Sequence, residues 1–205
     1  MDIQLNLINQ SNDANNSQIV IFQKNVGAGL SELAVAWHVI ENLGQGDNHP
    51  FVYPMSMAVD ASDSYGNYTP HLPASYGQRF AMKLTQSGDQ LSLDGGGTSP
   101  NEVQVANSLQ AGAINAMIYK AGSLFATRTN IAPGQLAAFE FKPTIWIGVV
   151  SQVMRGQIMN EAIMSSIDTE FSLLGLASAD IVMTGGGPGP NSKPFEFHLT
   201  NIVMA

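Results

Sequence analysis

The chain has 205 residues, of which 12% are charged, with eight Lys+Arg against sixteen Asp+Glu and a formal net charge of −8. So acidic a balance excludes a nucleic-acid binder built on phosphate neutralisation, and a hydrophobic share of 44% excludes a disordered chain. Cysteine is absent, so there is neither a disulfide framework nor a thiolate zinc site.

Period-2 alternation dominates the chain and predicts an all-β fold. Ile3, Leu5 and Leu7 alternate with Gln4 and Asn6 in a first strand, and a polar tract to Ser17 reads as a loop. Gln18 to Gln23 is a second strand, closed by Asn25 and the turn Gly27-Ala28-Gly29. Residues 33–40 fit two readings. Leu33, Val35, Trp37 and Val39 alternate as in a strand, whereas Leu30, Leu33, Trp37 and Ile40 fit a helical face capped by Ser31. The β-branched residues favour strand.

Phe51 to Val59 is a strand interrupted by Pro54, hence an edge or a bulge. Asp60 to Tyr76 reads as a long polar loop. Gln78 to Leu84 and Gln90 to Leu93 flank a tight Gly88-Asp89 turn, and Asp94 to Ser99 is a flexible link. Ser99-Pro100-Asn101-Glu102 has the form of a capping box, good for one helical turn at most. Ile114 to Tyr119 and Leu124 to Thr129 form a hairpin about Ala121-Gly122, and Pro133-Gly134 is a turn before the strand Leu136 to Phe141. Thr144 to Val150 is nearly continuous apolar, as in a central strand buried on both faces. A short helix is allowed within Ser151 to Asp168, followed by strands at Glu170 to Leu174, Ala179 to Thr184 and Phe195 to Val203. The Gly185 to Pro190 run is expected to be a non-helical surface loop. About a dozen short strands at ~8–12-residue spacing predict one antiparallel β-sandwich over 1–205, with 94–99 as the best internal boundary.

The order of Ile21-Phe22-Gln23, Leu33-Ala34-Val35-Ala36-Trp37, Phe139-Glu140-Phe141-Lys142-Pro143-Thr144 and Gly156 resembles bacterial proteins of the rhizosphere-expressed RhiA type. The resemblance covers scattered patches and no catalytic motif, and implies a bacterial all-β protein of no established activity.

The amino terminus has no basic n-region and no unbroken apolar core, so it is not a classical signal peptide. The longest strongly apolar run, Ile145 to Val150, falls far short of the ~18 residues of a transmembrane helix. The expected location is cytoplasmic, or exported without a classical signal.

No nucleophile elbow, zinc-protease helix, P-loop or dinucleotide fingerprint is present, and the chain is expected not to be an enzyme. An enzyme without a recognisable motif is the remotest alternative. The surface must instead be rich in neutral amides, since Asn and Gln together number 29. Edge strands short of charge invite pairing with another copy. The expected function is therefore a structural or interaction protein that self-associates, with itself as partner. The alternative is a carbohydrate-binding sandwich, with Tyr53, Tyr65, Tyr68, His71 and Tyr76 as the glycan-contacting aromatics. Asp60, Asp63 and Asn67 bring oxygens together about Gly66, as a calcium loop or as a turn whose side chains bond their own backbone. Otherwise no cofactor is expected.

Overall fold

Alternation of apolar and polar residues organises the chain into strands almost from end to end. The computed structural model describes residues 2–13, 15–27 and 34–205. In chain order the strands are β1 (Ile3–Asn9), β2 (Gln18–Phe22), β3 (His38–Ile40), β4 (Asn48–Tyr53), β5 (Met57–Ser62), β6 (Leu72–Ala74), β7 (Gln78–Thr85) and β8 (Gly88–Gly96). They continue as β9 (Val103–Asn107), β10 (Ile114–Lys120), β11 (Ser123–Ile131), β12 (Leu136–Phe139) and β13 (Thr144–Val150). The short helix α1 (Glu161–Ser165) precedes β14 (Thr169–Ser172), β15 (Leu176–Gly186) and β16 (Lys193–Met204). No helix among the described residues is long and apolar enough to cross a membrane.

The fold is all-β with sandwich-like packing. Four four-stranded sheets form, in the orders β16-β15-β1-β4, β14-β13-β2-β3, β11-β10-β5-β6 and β12-β9-β7-β8. They fall into two compact units. Unit 1 comprises Met1–Lys24, Leu33–Met55 and Pro143–Ala205, and unit 2 comprises Asn25–Glu32 and Ser56–Lys142. Unit 1 holds the first two sheets and unit 2 the last two, so each unit has eight strands. The link sought at 94–99 lies within unit 2, where β8 runs on to Gly96.

Several local expectations need correction. Two of the strand pairs, β1 with β15 and β7 with β9, are parallel rather than antiparallel. Pro54 separates two strands, β4 and β5, rather than bending one. The long loop expected from Asp60 starts only after Ser62 and carries β6 within it. The glycine-rich run at 185–190 ends in a 3-10 turn at Gly189–Asn191. Of residues 33–40, Leu33 lies outside the described residues, as do Ala28, Gly29, Leu30 and Ser31. The described remainder is extended: Ala34 and Ala36 bond to Met159 and Gln157, and β3 follows.

The two units share one topology. Taken in the order β13-β14-β15-β16-β1-β2-β3-β4, unit 1 repeats every pairing of β5 to β12: the β13–β14, β13–β2 and β2–β3 pairs match β5–β6, β5–β10 and β10–β11. The β15–β16, parallel β15–β1 and β1–β4 pairs match β7–β8, parallel β7–β9 and β9–β12. The chain is thus a half-repeat, a whole repeat and a second half-repeat, with its two ends completing one sandwich.

Hydrogen bonding matches residue for residue. The buried Asn9 donates its backbone N–H to Asp47 and accepts from Gly46, as Asn107 donates to Gln135 and accepts from Gly134. Its Nδ2 donates to the Leu43 carbonyl at 2.6 Å, as that of Asn107 does to Ile131 at 2.8 Å. Its Oδ1 accepts from the Ser11 N–H, as that of Asn107 does from Leu109. The turns so held carry matching left-handed residues, Asn42 and Gly46 at φ 57° and 87°, Asn130 and Gly134 at φ 60° and 78°. Only residues tolerant of positive φ fit there. Aromatic packing repeats too: Trp37 meets Tyr53 edge-on, as Phe125 meets Phe141.

Asn107→Ala takes a partner from the carbonyls of Gly112 and Ile131 and from the Leu109 N–H, and Asn9→Ala from the Leu43 carbonyl and from the N–H and hydroxyl of Ser11. Each unsatisfied buried group costs about 1–3 kcal/mol. Urea denaturation is expected to show both variants destabilised.

Candidate functional site

The outer face of the β11-β10-β5-β6 sheet gathers the chemistry. Along β5, Val59 and Ala61 point into the unit 2 core, which turns Asp60 and Ser62 to the opposite face. Along β10, Ile114, Ala116 and Ile118 are fully buried, which turns Asn115, Met117 and Tyr119 to that same outer face. Register sets Asp60 beside Met117 and Ala58 beside Tyr119. On the other side of β5, Val59 pairs with Leu72, so His71 arrives next to Asp60.

His71 Nε2 lies 3.1 Å from Asp60 Oδ2, with the imidazole half-exposed and the carboxylate only 2% exposed. The imidazole is packed against Tyr119, ring centroids 4.1 Å apart. Among the described residues Asp60 Oδ1 has no hydrogen-bond partner of good geometry, with the Tyr119 hydroxyl beside the carboxyl. Burial pushes the Asp60 carboxyl above the usual carboxylate range, against the pull of His71. Tyr119 is pushed up to about 12, by burial first and then by the Asp60 charge, with Tyr68 contributing.

The five aromatics expected to act together do not all meet. Tyr53 belongs to unit 1, is buried against Trp37 and donates its hydroxyl to Gln23, so it is a core residue. Tyr76 donates to the Phe141 carbonyl, and burial raises its pKa. Tyr65 is 89% and Tyr68 67% exposed. Tyr68 and Thr69 also wall a cavity of about 390 Å³, together with Asp63, Asn67, Ser87 and Asp89. That volume falls within the ~300–1,000 Å³ of small-molecule sites.

Asp60, Asp63 and Asn67 do not share one set of contacts. Asp63 Oδ1 accepts from the Tyr65 and Asn67 N–H groups and Oδ2 from Asn67 Nδ2, which lowers its pKa and closes a turn. Asp60 faces His71. Among the described residues no group of three or more His, Asp or Glu could hold a metal ion. Tyr119 was missed from sequence because it lies in an ordinary-looking strand. Its signal was the alternation that puts it opposite Ile118.

Other titratable groups sit elsewhere. His38 is held neutral, its pKa lowered to about 4 by burial first and then by Arg155 and His49. Asp47 accepts the Gly44 N–H within its turn.

Protein-family models, curated proteins and solved structures give no match to this chain. The RhiA-type resemblance therefore stays an expectation.

With its native pKa raised, Asp60 contributes most to stability below the ordinary carboxylate pKa. That contribution is lost as pH rises through the raised native value. Thermal melts from acid to neutral pH are expected to show a smaller loss for Asp60→Asn than for the natural chain, and a higher melting temperature at neutral pH.

Proposed function

We propose that the chain is a non-enzymatic interaction protein that self-associates through the exposed edge of β16. The observation carrying this reading is the strand itself. β16 is twelve residues long and pairs on one side only, with β15. An edge leaves a row of N–H and C=O groups open to another chain unless charge, proline or irregularity blocks it. Here Lys193-Pro194 and Glu196 guard the start, but from Leu199 to Ala205 there is no charged side chain. Ile202, Val203 and Met204 are more than half exposed, and Leu174 near the start of β15 is 74% exposed. The opposite edge of that sheet, β4, is shorter and carries Pro50.

The pairing shifts register twice at this end, between Leu176 and Ser178 and between Ser178 and Asp180, the second as a bulge at Asn201, in left-handed conformation at φ 48°. The bulge bends the strand without removing its apolar side chains. The equivalent edge of unit 2, β8, is better defended: Lys83 and Arg79 on β7 pair with Asp94 on β8. Contact between copies through β16 would bury apolar surface that a monomer leaves in water.

Sedimentation velocity over a concentration series is expected to show mass growing with concentration. Ile202→Lys with Met204→Lys is expected to hold the chain as a monomer with an unchanged circular-dichroism spectrum. A natural chain that stays monomeric throughout defeats the reading.

A further inference from the structure

The two repeats allow each to serve as a control for the other. On the outer face of the β14-β13-β2-β3 sheet, unit 1 places Trp146, Gly148 and Val150 from β13 opposite Phe22, Val20 and Gln18 from β2. These occupy the same places in the pairing as Ala58, Asp60 and Ser62 of β5 opposite Tyr119, Met117 and Asn115 of β10. Unit 1 covers its face with an apolar cluster in which Val20 and Phe22 pack with Ala34, Ala36, Val153, Met159 and Ile167. Gly148 makes room for it: a Cβ there would lie 2.7 Å from Ile167 Cγ1. The same fold thus closes this face with hydrocarbon when it needs stability alone. Unit 2 instead keeps a carboxylate at 2% exposure, which burial disfavours in its charged form. Groups that cost stability concentrate at functional sites.

We propose that this face of unit 2 binds a neutral saccharide, with His71 and Tyr68 in contact and Asp60 as a positioning residue. His71 Nε2 faces Asp60 Oδ2 at 3.1 Å, and an Nε2–H donated to that oxygen leaves Nδ1 of a neutral imidazole as a hydrogen-bond acceptor. The ring is half-exposed and braced against Tyr119. A sugar hydroxyl donates to that nitrogen, and Tyr68, at 67% exposure, offers a ring face for the C–H surface of a pyranose. Tyr68 also walls the cavity that holds Asn67, Ser87 and Asp89, an amide, a hydroxyl and a carboxylate suited to further hydroxyls. Among the described residues no Lys or Arg lines that cavity, while Asp63 and Asp89 do, so anionic ligands are disfavoured. The site lies wholly in unit 2 and is independent of the β16 edge in unit 1.

The test applies the full chain to a panel of immobilised neutral oligosaccharides, followed by calorimetric titration of a retained sugar. Tyr68→Ala and His71→Ala are each expected to weaken binding at least tenfold. Asp60→Leu removes the acceptor, so nothing holds the Nε2 proton and the imidazole tautomer is no longer fixed. It is expected to weaken binding similarly while the melting temperature at neutral pH does not fall. A merely structural Asp60 would lose stability together with binding. Retention of no sugar, or retention that survives Tyr68→Ala and His71→Ala, overturns the proposal. So does tighter binding of choline than of any sugar, which would make the aromatics a cation cage.

Discussion

Parallel pairing of β1 with β15 is the constraint on which unit 1 depends. Six residues from Gln4 to Asn9 meet six from Ser178 to Met183. Without that ladder and the antiparallel one between β2 and β13, the eight strands of the unit are two half-sets at opposite ends of the chain. Neither half could close a sandwich, since each sheet of the unit draws strands from both. Unit 2 meets the same demand locally, because β7 and β9 are separated only by β8. Loop-closure entropy must be overcome before distant strands reward each other. The expected order of folding is therefore unit 2 first, with unit 1 closing once the last strands are available.

The repeated asparagines show how an irregular turn is made specific. In each unit one buried Asn ties the end of a core strand to the turn before the edge strand that pairs with it, using both its side chain and its backbone. The surrounding sequences differ almost completely. What persists is a left-handed Asn, a left-handed Gly and an aromatic on the strand that follows, Phe51 in one unit and Phe139 in the other. Geometry of this kind tolerates few residue types, whereas core positions accept any apolar side chain of suitable volume. Hence the turns preserve the repeat better than the core does.

Divergence between the repeats concentrates on one outer face. Unit 1 spends a longer connection from β13 to β14, including α1, on an apolar cover. Unit 2 leaves the face with Asp60, His71 and Tyr119 and a shorter loop. A buried carboxylate beside an imidazole contributes little to stability compared with hydrocarbon of equal volume. The contrast locates the chemistry of the molecule more sharply than either unit alone.

Strand periodicity was legible in the residues themselves. β1, β2, β13 and the β10–β11 hairpin fall where alternation and turn residues place them, because side-chain direction in a strand follows from backbone geometry alone. The all-β class and the charge-poor surface follow from the same information. Partnership between strands did not, since pairing is a long-range choice that alternation leaves open. Only the tertiary structure joined the two ends of the chain, sent Tyr53 into the core while leaving Tyr68 at the surface, and brought Tyr119 to His71 and Asp60. Those outcomes depend on register between strands far apart in sequence, and a shift of one residue would turn each side chain to the other face.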